Sequence, residues 1–200
     1  MRRIVETLRE TANDTGIGLY VGCGNGRNYL PLVDAGLDLI GLDISPEAIR
    51  HLRARRPTLP AQRLICDDFL RFQPSIRHFD YVIALQVFQH GADADAAAYV
   101  AKVAALLRPG GFVFLRVNSV STQIYHAHTV VERNAFDGIT IRYDDGPKRG
   151  MLIHFYSDVE LRERLNVAFA PVLEPREDVT VRAAPKAGSW AQWETIWTRR

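Results

Sequence analysis

The chain has 200 residues, 47% of them hydrophobic, with two cysteines and a formal net charge of +2. That is one domain able to bury a core. It excludes a disulfide framework, a cysteine-built metal centre and a membrane span, since no apolar run approaches the roughly 18 residues a span requires. The charged start, Met1-Arg2-Arg3-Ile4-Val5-Glu6, does not read as a secretory signal, and Cys23 and Cys66 read as reduced thiols of a cytoplasmic protein. The elements alternate. Residues 6–11 read as a helix and 17–21 as a buried strand. That strand breaks into Gly22, Gly24 and Gly26, and a helix follows at 28–35, closed by Gly36. Residues 38–43 form a second strand, and Ser45-Pro46-Glu47 opens a well-capped helix that ends before Pro57. Strands at 62–66 and 81–85, an alanine-rich helix at 92–107 and a strand at 112–117 complete the alternation. Apolar strands separated by helices predict a parallel sheet covered on both faces.

The pattern changes after Val117. Residues 129–133, 138–143 and 151–155 read as a β-hairpin around the Asp144-Asp145-Gly146-Pro147 turn. Ser157-Asp158-Val159-Glu160 starts a helix ending near Leu165, and 169–173 and 190–197 read as late strands paired antiparallel at one edge of the sheet. The insertion is too small to bury a core of its own. The expected fold is therefore a Rossmann-like, doubly wound α/β domain. Its mostly parallel seven-stranded sheet has an antiparallel C-terminal edge strand and a hairpin insertion after the fifth strand. It spans 1–200 as one domain: a cofactor-binding half to 117, a substrate or lid insertion at 118–156, and a C-terminal helix with edge strands at 157–200.

A strand, a tight glycine turn and a helix form a cradle for a ligand, because glycine tolerates positive φ and close approach. Asp43, at the end of the second strand, stands where an open α/β sheet holds ribose hydroxyls. Together they predict an adenosine-containing ligand. The G-x-G-x-G spacing departs from the G-x-G-x-x-G of dinucleotide enzymes, which disfavours NAD.

From about Gly16 to Asn118 the sequence resembles the class I S-adenosylmethionine-dependent methyltransferases of the small methyltransferase-domain type. Gly22-Cys23-Gly24-Asn25-Gly26 resembles the loop around the methionine part of the cofactor. Asp43, followed by Ile44, resembles the ribose-binding acid. Cys66-Asp67-Asp68-Phe69 is similar to the turn beside adenine, with Asp67 accepting from the exocyclic amine, the Asp68 backbone meeting the ring and Phe69 lining it. Phe79-Asp80-Tyr81-Val82-Ile83 resembles the fourth strand, whose following residues Leu85 and Gln86 would border the methionine end. Leu106-Leu107-Arg108-Pro109-Gly110-Gly111 is similar to the turn before the fifth strand. Tyr20 replaces the acid that usually holds the ligand's ammonium, leaving backbone carbonyls or its own hydroxyl for that role.

The resemblance implies S-adenosyl-L-methionine as cofactor and methyl transfer to a small-molecule acceptor. The alternatives are transfer to tRNA or another macromolecule, which the basic residues Arg53, Arg55 and Arg56 permit without favouring, and non-catalytic cofactor binding. His90, past the fourth strand, is the candidate base; otherwise it bonds backbone near Gly91. Tyr125, His126, His128, Arg142, Tyr143, His154 and Tyr156 are candidate substrate residues. No metal site is expected, because no further ligands stand at readable spacing from the histidines. The expected lid is 119–150 or a second subunit, and a homodimer is compatible with the sequence. Trp190, Trp193 and Trp197 are expected to fill core or edge.

Overall fold

The computed structural model describes residues 1–185 and 187–200. In chain order the elements are α1 (Arg2–Glu10), β1 (Ile17–Val21), α2 (Tyr29–Asp34), β2 (Asp38–Asp43), α3 (Pro46–Arg55), β3 (Leu64–Cys66), β4 (Phe79–Leu85), α4 (Asp93–Leu106) and β5 (Leu107–Asn118). Then come β6 (His128–Arg133), β7 (Ile139–Tyr143), β8 (Leu152–Phe155), α5 (Asp158–Asn166), β9 (Phe169–Val181) and β10 (Ser189–Arg199). A seven-stranded sheet runs in the order β3-β2-β1-β4-β5-β10-β9, and β6-β7-β8 form a separate three-stranded sheet.

The first five strands of the large sheet are parallel, as expected of a chain whose strands alternate with helices. The late strands refine the expectation. β10 is antiparallel to both β5 and β9 and lies between them, so β9 rather than the last strand closes the sheet. β9 also runs on to Val181, well past Leu173.

Period-two alternation sorts the strands onto two faces. Leu19 and Val21, Val82 and Ala84, Val113 and Leu115 point into one layer, packed with Val103 and Leu106 of α4 and Leu161 and Leu165 of α5. Tyr20, Tyr81, Ile83, Phe112 and Phe114 point into the other, packed with Ile4 and Leu8 of α1, Leu32 of α2 and Ile49 and Leu52 of α3. β1 can lie this close to β4 only because of a glycine: a Cβ on Gly18 would sit 2.0 Å from the Tyr81 ring.

Local chemistry sets the helix starts. Ser45 Oγ accepts from the Ala48 amide at 3.1 Å, with Pro46 at the first helical position of α3. Ser157 Oγ does the same for the Glu160 amide at 2.9 Å in α5. At α4 the helix itself supplies the acceptor, as Asp95 takes the Ala92 amide at 2.8 Å.

The insertion is a three-stranded meander rather than a hairpin, and it does bury a small core of its own, formed by Ile141, Ile153 and Phe155. It is fastened to the main body by backbone bonds. The Gly91 amide donates to Leu152 O at 3.1 Å, the His154 amide to Gln89 O at 2.8 Å and the Tyr156 amide to Asn118 O at 2.9 Å. The insertion therefore closes over the carboxyl ends of β4 and β5, where an open α/β sheet forms its cleft.

Candidate active site

A cavity of about 440 Å³ opens at the carboxyl ends of β1, β2 and β4. Its walls include Gly22 of the glycine loop, Asp43 and Ile44 after β2, Asp67, Asp68 and Phe69 after β3, and Leu85, Gln86 and His90 after β4. Each of these was singled out in the sequence. Val87, Phe88, Tyr99 and Met151 also line it and were not. Phe69, Phe88 and Tyr99 form an aromatic group, with the last two stacked at 4.8 Å between ring centroids. Tyr99 gave no signal inside an alanine-rich helix, and Met151 arrives from the insertion.

The Asp43 carboxylate is held by backbone on both oxygens. Oδ2 accepts from the Gly24 amide at 2.7 Å and Oδ1 from the Ser45 amide at 2.9 Å. A carboxylate offers about four lone-pair sites, so each oxygen retains acceptor capacity toward the cavity. These bonds also occupy loop amides. The glycine loop does not present a row of free amides: Gly22 and Cys23 donate to Leu42 O, Gly24 to Asp43 and Gly26 to Cys23 O. The loop works by shape. Gly22, Gly24 and Gly26 all have positive φ, and a Cβ on Gly24 would meet nothing within 4 Å, leaving open space above the turn.

Five expected cofactor contacts do not line the cavity: Gly24, whose amide is bonded to Asp43, and four others. Tyr20 is 1% exposed, its ring edge-on to Tyr29 at 5.8 Å, because strand alternation turns it to the opposite layer from Leu19 and Val21. Burial raises its phenol pKa far above the ordinary value. Its ring lies in that layer and does not line the first cavity. Cys23 is buried in the same layer, its thiol pushed up to about 12 by burial and by the neighbouring Asp43. Asn25 turns outward, its carbonyl taking the Arg55 guanidinium at 2.6 Å. Gly26 packs against α3, where a Cβ would meet Leu52 at 2.3 Å.

At the end of β4, Gln86 adopts φ +62, in the left-handed region uncommon for residues other than glycine, and its amide donates to Arg116 O at 2.7 Å. His90 follows. Its backbone is pinned by the Val87 carbonyl at 3.1 Å and by the Tyr99 hydroxyl, which donates to His90 O at 2.9 Å. Burial holds the His90 pKa below its ordinary value, Lys148 adds to the depression, and a bond from its ring to the Gln86 backbone partly opposes both.

Gln86 also lines a second cavity of about 720 Å³ beneath the insertion. Tyr125, His126 and Tyr143 meet there, with Lys148, Trp190, Gln89 and Asn118, none of which was foreseen as a site residue. His126 Nδ1 lies 3.2 Å from Asp145, and its ring is edge-on to Tyr125. The other expected substrate residues lie elsewhere. Arg142 is exposed beside Asp144 at 3.6 Å, and the His128 ring bonds the His126 carbonyl at 3.0 Å. Tyr156 is 2% exposed, its hydroxyl donating to Phe88 O at 2.5 Å.

His154 is buried in an ionic cluster that ties the insertion to α4 and α5. Its Nδ1 bonds Thr140 Oγ1 at 2.9 Å and its Nε2 bonds Glu160 at 2.8 Å, while Arg164 bonds both Glu160 and Asp93. One ligating atom from each of Asp93, His154 and Glu160 lies within 4.8 Å of the others. The Arg164 guanidinium stands among them, bonded to both carboxylates, and supplies the positive charge at that point. The cluster fastens α5 to the insertion.

The strand order, with its antiparallel late strands, is that of a Rossmann-like methyltransferase fold. Residues 19–111 match the family model described as Methyltransferase domain. Among curated relatives, the ubiquinone biosynthesis O-methyltransferase of Methylococcus capsulatus is 30% identical over 109 residues, 52% of this chain and 44% of that one. The chain thus spans less than half the length of that relative. An S-adenosylmethionine-dependent methyltransferase from Methanosarcina mazei superposes with a TM-score of 0.71 at 16% identity, covering 96% of both chains. The Burkholderia thailandensis 1,6-didemethyltoxoflavin-N1-methyltransferase, solved with its substrate and S-adenosylhomocysteine, gives a TM-score of 0.65 at 20% identity, covering 100% of this chain and 78% of that one.

Proposed function

We propose that the chain binds S-adenosyl-L-methionine in the first cavity and directs its methyl group to a small-molecule acceptor in the second. The observation that carries this reading is that Gln86 lines both cavities, the first of which also holds the Asp43 turn and the second of which is lined by residues of the insertion. The residues present fit the cofactor. Asp43 keeps acceptor capacity for paired hydroxyls, Asp67 and Asp68 stand beside an aromatic wall suited to a purine, and Gly24 leaves its side of the loop open.

When bound, the cofactor supplies a methyl group on a sulfonium, which leaves readily, so the protein's task is placement and exclusion of water. Leu85 and Gln86 border the junction where donor and acceptor would meet. Phe69, Phe88 and Tyr99 keep that junction apolar. His90 is the group able to take a proton from a hydroxyl or amine acceptor: its lowered pKa keeps the imidazole neutral at pH 7, and it lines the first cavity together with Gln86. Fastening of the insertion by Gly91, His154 and Tyr156 makes it the cover of the site.

Calorimetry with S-adenosylmethionine and S-adenosylhomocysteine tests the reading. One equivalent of each should bind. Absence of uptake for both would overturn it.

A further inference from the structure

The two cavities have opposite electrical character. Asp43, Asp67 and Asp68 line the first and His126, Lys148 and Arg182 the second; among the described residues no lysine or arginine lines the first and no aspartate or glutamate lines the second. We propose that the second cavity is built for a planar aromatic acid, with Lys148 as the counter-cation of its carboxylate; this rests on the methyl-transfer reading above only in taking that acid as the acceptor.

The basic residues are not equivalent. His126 is turned to Asp145, and Arg182 Nη1 is spent on backbone, donating to the Gln123 and Ala187 carbonyls. Lys148 makes no ion pair or side-chain hydrogen bond among the described residues. It is partly buried, and burial lowers its pKa. An ammonium held half out of water without a partner is costly unless an anion joins it.

Two amides add donors with fixed orientation. Gln89 is 4% exposed and its Oε1 accepts from the Asn118 amide at 3.1 Å, which leaves Nε2 as the free end. Asn118 is 5% exposed and its Oδ1 accepts from Trp190 Nε1 at 3.3 Å, which leaves Nδ2 free. Backbone and indole N–H groups only donate, so neither amide can be flipped. A cation and two NH₂ groups lining one cavity match an acceptor-only group with several lone pairs, and a carboxylate is that group. Tyr125, Tyr143, Phe155 and Trp190 supply flat apolar surface for the ring.

The test measures binding of 2-naphthoate, its methyl ester and 2-naphthylmethylamine to the full chain by calorimetry at pH 7, with and without S-adenosylhomocysteine. The acid should bind at least tenfold more tightly than either neutral or cationic probe. Lys148→Met should erase that preference while leaving S-adenosylhomocysteine uptake and the melting temperature unchanged, since Lys148 does not line the first cavity. Equal affinity for acid and ester, no binding of the acid, or undiminished acid binding in Lys148→Met would each overturn the proposal. Failure of S-adenosylhomocysteine uptake would instead overturn the methyl-transfer reading, leaving the acid preference to be read without it.

Discussion

Asp43 joins three parts of the site through one side chain: it terminates β2, holds the Gly24 and Ser45 amides, and keeps acceptor capacity for the ligand. Asp43→Ala should therefore weaken S-adenosylmethionine uptake at least tenfold by calorimetry, about 1.4 kcal/mol or more. Asp43→Asn, which keeps one carbonyl oxygen, should lose less. His90 makes a prediction in pH. Its pKa lies below the ordinary 6.5 because burial and Lys148 disfavour the imidazolium. The neutral, proton-accepting form therefore persists to lower pH, and kcat/KM for a hydroxyl or amine acceptor should rise with pH through a midpoint below 6.5. His90→Gln should flatten that limb and reduce the rate roughly 10²–10⁴-fold if the base is used in full. An unchanged pH profile in this variant would remove His90 from the chemistry. These two residues were legible in the sequence because each sits a fixed step beyond a strand whose end could be read from its apolar run. Tyr20 shows the limit of such reading. Its position in the motif was evident, but which face of β1 it occupies depends on how Tyr29 and α1 pack against it.

Elements that satisfy a single local rule were the easiest to anticipate. β1 ends where its apolar run does, and β2 extends the run Leu39–Leu42 by one aspartate at each end. β9 escaped in part, since the expected strand stopped at Leu173, before the charged residues Glu174, Arg176, Glu177 and Asp178. They become strand because β10 pairs with them, Gln192 opposite Asp178 and Glu194 opposite Arg176. The second cavity was largely illegible for the same reason. Lys148 lies in a turn, and Trp190 and Arg182 arrive from the far end of the chain. Packing of one element on another also yields stability tests. Gly18→Ala drives a Cβ into Tyr81 and should destabilise the fold by about 3 kcal/mol in urea unfolding. Glu160→Ala would strip His154 and Arg164 of their shared partner inside the junction of α5 with the insertion. Its expected cost is about 3–5 kcal/mol, with accelerated proteolysis within the insertion. Wild-type stability in Glu160→Ala would show that the cluster does not fasten the two parts.

The molecule as a whole divides its labour between a sheet that fixes the donor and an inserted meander that covers the acceptor. A ligand that binds only the folded chain should stabilise all of it. At one hundred times its dissociation constant, S-adenosylhomocysteine should contribute about 2.7 kcal/mol. For a domain of this size that is a rise in melting temperature of roughly 5–10 °C, and Asp43→Ala should abolish most of it. The position of β10 between β5 and β9 bears on how such a chain is made. During translation β5 emerges with one side unsatisfied, and β9 emerges later without being able to pair with it. Both stay open to neighbouring nascent chains until the eleven residues of β10 leave the ribosome and slide between them. The sheet that carries the site is thus complete only once β10 has joined β5 to β9.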